Sequence, residues 1–163
     1  MPESTQIRVK RDGVIVLSDD AGHTYTVAYE PGDLAINVPG QAVNNFLDRG
    51  RMGAAPSLRL GDDQPMTLSF TAYLRDLSLD DGATLLDIAN RPAGSYVADN
   101  WISTSSGDVF TVNASVIVDG ADLGEADQQY DFPFCVVRAN VSEGDPSTIA
   151  ISITSYAYQP TVI

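Results

Sequence analysis

Apolar and polar positions alternate through several long stretches of the chain. In Met66–Arg75 the apolar set Met66, Leu68, Phe70, Ala72 and Leu74 interleaves with Thr67, Ser69, Thr71, Tyr73 and Arg75, the period of two that a half-buried strand requires. Val109–Asp119 repeats the pattern, with Phe110, Val112, Ala114, Val116 and Val118 on one face and Thr111, Asn113, Ser115 and Ile117 on the other. Thr148–Tyr158 sets Ile149, Ile151 and Ile153 against Ser152, Thr154 and Tyr156. Tyr130–Asn140 is apolar on both faces, which predicts a strand covered on both sides. Shorter runs at Val14–Leu17 and Thr24–Tyr29 flank the turn-rich Ser18–Gly22 and predict a hairpin, and Leu34–Val38 is a further strand between Pro31-Gly32 and Pro39-Gly40. One helix stands out, Leu85–Asn90, with Thr84 as cap, Asp87 three positions on and Arg91-Pro92 as its stop. These elements predict a mainly β, antiparallel sandwich or barrel with one short flanking α-helix.

The 163 residues fit one domain spanning 1–163. Within it, residues 41–64 read as an extended loop, since Val43, Phe46, Leu47, Met52 and Leu58 follow no clear period among Gly50, Gly53, Pro56 and Gly61. A structureless loop this long inside a compact domain is uncommon and is usually either functional or a misread element. Its apolar side chains need cover, either from its own sandwich or from a neighbouring subunit.

Charge narrows the field of partners. The chain carries 22 acids, mostly Asp, against nine basic residues, a net charge of -13. Residues 1–60 hold six basic groups and seven acids, whereas residues 61–163 hold three and fifteen. Such a surface repels phosphate backbones and anionic headgroups, so neither nucleic-acid binding nor a membrane anchor is expected. Asp-rich, Lys-poor surfaces also suit a high-salt host.

Chemistry is sparse. The single His23 lies at a strand entry and reads as an exposed turn residue, and the single Cys135 sits mid-strand as an inert buried thiol. The Asp119–Asp127 stretch lacks the spacing of a calcium loop. No nucleophile pairs with a base and no ligand cluster suggests a metal, so no catalytic residue, cofactor or metal is expected. What is unusual is the non-core face of three strands. Thr67, Ser69, Thr71, Thr111, Asn113, Ser115, Ser152 and Thr154 form ladders of small neutral groups where Lys and Glu are common. Two explanations compete: β-propensity, since Thr suits any exposed strand, and a surface that another molecule must pass or pack on, wettable yet offering no salt bridge to hold it.

The segment from Leu47-Asp48-Arg49-Gly50-Arg51 through Pro56-Ser57-Leu58-Arg59-Leu60-Gly61-Asp62-Asp63-Gln64-Pro65-Met66-Thr67-Leu68-Ser69-Phe70 resembles the major tail tube proteins of tailed viruses. In these a long loop with a D-R-G-like turn leads into a strand of this kind. The element order continues the likeness, with a helix after Asp80-Asp81-Gly82, then Trp101, then long strands. The resemblance implies a β-sandwich akin to the type VI secretion tube, assembled as stacked hexameric rings with strands joined around a central passage. It implies that Phe46, Leu47, Asp48, Arg49, Arg51, Leu58 and Arg59 touch neighbouring subunits or rings, and that Thr67, Ser69, Thr71, Thr111, Asn113 and Ser115 line the lumen. Its implied partners are further copies of the chain and other tail proteins (terminator, baseplate or tip, tape measure), with genomic DNA passing unbound. Its implied location is the virion tail, built in the host cytoplasm. A tail terminator or baseplate ring protein of related fold is the alternative. From another class, a carbohydrate-binding sandwich or secretion-system effector would use exposed aromatics, for which Tyr156 and Tyr158 are the clustered candidates.

Overall fold

The computed structural model describes residues 13–27, 34–46, 57–73, 85–90, 102, 109–118, 126–157 and 160–163. Ten strands and one helix occupy them: β1 Gly13–Ser18, β2 Thr24–Val27, β3 Ala35–Asn37, β4 Gln41–Phe46, β5 Ser57–Asp63, β6 Met66–Tyr73, α1 Leu85–Asn90, β7 Val112–Val118, β8 Gln128–Ser142, β9 Thr148–Ser155 and β10 Thr161–Val162. All pairings are antiparallel. Seven strands run in the order β2-β1-β7-β8-β9-β6-β3, β10 lies beside β8, and β4 and β5 form a separate two-stranded sheet.

The sheet closes on its own core. Ile15 and Leu17 of β1 share one buried cluster with Met66 and Leu68 of β6, four strands further along the sheet order. Only a curled sheet brings them together, and strand alternation supplies the apolar side: Met66, Leu68, Phe70 and Ala72 are buried, as are Ile149, Ile151 and Ile153. The helix adds Leu85 and Ile88, one turn apart, against β8. Its cap Thr84 and its stop at Arg91-Pro92 lie outside the described residues.

β8 is the strand on which the two halves of the sheet meet. Its first half pairs with β7 and β10, its second half with β9. Between them lies a bulge, in which Ala114 faces Phe132 but Val112 faces Cys135. Phe134 takes up the extra residue at φ 53, a conformation bulky side chains rarely adopt. The bulge shifts the inward set from Phe132 to Cys135 and Val137. This is why Phe132–Val137 shows no period in the sequence. The expected cover on both faces holds at Val136, which is 6% exposed, and fails at Phe134, which is 44% exposed.

The expected loop at 41–64 is in large part a β-hairpin. Val43 pairs with Leu60 and Asn45 with Leu58, past a bulge beside Gln41. Asn44, Asn45 and Gly61 are poor strand formers, and the bulge breaks the alternation, so the pattern hid both strands. Residues 47–56 lie outside the described residues.

Candidate functional site

Three regions carry the candidate residues: the open face of β6, β9 and β8, the open face of β1 and β7, and the β4–β5 hairpin.

Register places the first as rows. Asn37, Thr67, Thr154 and Val136 stand side by side, then Ala35, Ser69, Ser152 and Arg138, then Thr71, Ala150 and Asn140. The second and third rows, Ala35 apart, line a shallow concavity of about 400 Å³, whereas in the first row Val136 is covered. Arg138 is the one charged group among these described positions. The face is therefore a neutral, hydroxyl-rich trough with a single cation, suited to contact without strong retention.

Asn113 and Ser115 do not belong to it. Ser115 pairs with Val16 and Asp131, and Asn113 with Ser18. Asp131 lies seven residues before Arg138 on β8, a separation of about 23 Å along the strand. Ser115 is also engaged: its Oγ donates to Asp131 Oδ1 at 2.6 Å, and Gln129 Nε2 donates to the same oxygen at 2.8 Å. Thr111 is 5% exposed and so is covered by its own chain, which removes it from any lining. The six expected lining residues thus resolve into Thr67, Ser69 and Thr71 on one face, Asn113 and Ser115 on another, and Thr111 inside.

The hairpin presents Val43, Leu58 and Leu60 on one side, at 60%, 65% and 72% exposure. Arg59 is exposed on the opposite side. β4 and β5 contact chiefly one another, and the root is held by Gln64 N donating to the Gly40 carbonyl at 3.2 Å and Gln41 Nε2 donating to Asp63 Oδ1 at 2.7 Å. Gly40 supplies the left-handed turn at φ 68. Among the expected contact residues, Leu58 and Arg59 are described and exposed, Phe46 closes β4, and Leu47, Asp48, Arg49 and Arg51 lie outside the described residues.

Polar groups that could have carried chemistry are structural. Asp19 is 7% exposed and accepts four hydrogen bonds: from Ala21 N at 3.1 Å, His23 N at 2.7 Å, His23 Nδ1 at 2.9 Å and Ile102 N at 2.8 Å. Burial alone would raise its pKa, and the bonds from His23 and Ile102 outweigh that and hold it below the usual value. His23 is accordingly a half-buried clamp, not the exposed turn residue expected. Burial pushes the Cys135 thiol up to about 12, matching an inert core cysteine. Among the described residues no group of three His, Cys, Asp or Glu side chains converges to hold a metal ion.

The sequence missed one feature of the surface. Phe134 and Tyr156, 44% and 64% exposed, stand together where β8 bends, with Tyr156 N donating to the Phe134 carbonyl at 3.2 Å. The signal that could have found it is the unbroken apolar run around Pro133, which regular alternation cannot bury on one side. Tyr158, the expected companion of Tyr156, lies outside the described residues.

No family description matches the chain, and no curated protein resembles it in sequence. Solved structures do resemble it in fold. A chain from the sixfold-symmetrised baseplate of the anti-feeding prophage aligns at TM-score 0.63 and 7% identity over 98% of this chain and 97% of that one. A chain from the tube-terminating cap of the same particle aligns at 0.59 and 8%, covering 100% and 95%. One from the sheath–tube complex of an extracellular contractile injection system aligns at 0.56 and 11%, covering 98% and 90%. The likeness shows a shared fold running the length of each chain.

Proposed function

We propose that the chain is a structural subunit of a phage-tail-like particle, a tube protein that self-assembles into stacked rings around a passage. The observation that carries this reading is the β4–β5 hairpin. A two-stranded sheet is marginal in water on its own, yet this one leaves Val43, Leu58 and Leu60 bare. It is an arm for an adjacent copy, carried on a fold matched end to end by components of contractile injection particles. The trough bearing Ser69 and Thr71, with Thr67 in the row beside it, is the stretch of passage wall, and the acidic surface after residue 60 discourages retention of nucleic acid. Six copies per ring is the count we infer from the sixfold baseplate neighbour. The function is non-enzymatic, the partners are further copies and other tail components, and the place is the tail of a particle built in a host cytoplasm.

A second reading, a ring that caps or founds the tube, is favoured by the baseplate and cap among the neighbours. Negative-stain electron microscopy of the purified protein separates the two. Long tubes are expected for a tube subunit and single rings for a terminal one. A protein that stays monomeric at every concentration and salt strength would overturn both.

A further inference from the structure

We propose that the Phe134–Tyr156 corner is the seat for the β4–β5 hairpin of a second copy standing beside the first in the same ring. The inference rests on the arm reading above and states where the arm lands.

The corner is held open at a cost. Phe134 sits at φ 53, outside the range a bulky side chain prefers, and such strain persists only where surrounding bonds impose it. Three successive carbonyls are pinned here. Cys135 Sγ donates to the Phe132 carbonyl at 3.1 Å, Ser155 Oγ to the Pro133 carbonyl at 2.6 Å and Tyr156 N to the Phe134 carbonyl at 3.2 Å. Ser155 is fully buried, and its hydroxyl serves this loop. The product is a backbone corner held by three bonds that carries two exposed aromatic side chains, Phe134 and Tyr156. Pre-organised aromatics of this kind anchor protein interfaces at low entropic cost.

The occupant follows from charge and position. Two copies each carrying -13 repel one another, so a contact between them favours patches without carboxylates. The Phe134–Tyr156 corner and the Val43–Leu58–Leu60 side of the hairpin are both bare and largely apolar, with the carboxylate of Asp63 on that side of the hairpin tied to Gln41 at its root. They are also rooted together. The hairpin returns through Gln64 and Pro65 to Met66, which pairs with Ser155, the residue before Tyr156. Even so, a chain's own hairpin leaves its own corner exposed. Arm and seat on one level suit exchange between neighbours around a ring, each arm on the next seat, which is a head-to-tail contact that closes by rotation.

The test mixes two single variants, Leu60→Cys and Tyr156→Cys, under mild oxidation during assembly. Cys135 is buried and does not compete. The expected result is a disulfide-linked dimer that forms only when both variants are present. In parallel, Phe134→Asn keeps the left-handed conformation, which Asn tolerates, and removes the aromatic ring. It is expected to hold its melting temperature while its assembled fraction falls about tenfold or more, leaving free subunits in place of separated rings. Rings built from the mixed Leu60→Cys and Tyr156→Cys variants that contain no disulfide-linked dimer, or normal rings from Phe134→Asn, overturn this inference and leave the proposed function standing. A wild-type protein that never assembles overturns both.

Discussion

Asp19 shows how much one residue can organise. Its carboxylate joins the β1–β2 turn to residue 102, 83 positions away, through bonds to the backbone of both. Replacing it with Asn removes the charge and half the acceptor capacity. Asp19→Asn is expected to cost about 2 kcal/mol, since hydrogen bonds to a charged group contribute about 1.5–3 kcal/mol, measured by urea unfolding. Because the folded pKa lies below the ordinary carboxylate value, the stabilisation is present above that value and is lost as pH falls through the folded pKa. Wild type and Asp19→Asn should therefore converge in stability at strongly acidic pH. A difference that persists there would move the effect from ionisation to packing.

Among the elements, regular ones were legible and irregular ones were not. The strands β6, β7 and β9 follow from periods of two and the helix at Leu85–Asn90 from its cap and stop signals, and each buries one face against the core. The hairpin and the β8 bulge escaped for one physical reason: a bulge resets alternation, and the period then averages away on either side of it. The candidate lining suffered from a related limit. Ser69 and Ser115 hold equivalent places in their strands' alternation, yet they stand on different parts of the surface. A period assigns a side chain to a face and says nothing of where that face lies after the sheet curls. The bulge carries its own prediction. Phe134→Gly relieves the left-handed conformation, which costs an L-residue roughly 1–2 kcal/mol, and forfeits the covered half of the side chain together with chain entropy, so stability should stay within about 1 kcal/mol of wild type. Thermal unfolding measures it, and a larger loss would mean that the ring, not the backbone, dominates this corner.

At the scale of the whole molecule, the proposed assembly sets the net charge of each copy against the apolar arm. Raising salt shortens the Debye length from about 10 Å at 0.1 M to about 3 Å at 1 M, which weakens repulsion between copies carrying -13 each and leaves apolar contact intact. Light scattering should show assembly at lower protein concentration as salt rises. The opposite trend would point to pairing between basic groups and acids of neighbouring copies as the driving force.

The sharing of β8 has a consequence in time. Gly13 pairs with Val118, about a hundred positions along the chain, and long-range pairing of this kind makes folding slow. β7 and β9 both close on β8, so neither half of the sheet has a finished edge before that strand is in place. The hairpin stands outside this dependence, with its register local and its contacts chiefly its own. In the proposed ring, then, the body of each copy can be complete before its arm is seated, and the arm is the part left to settle on a neighbour.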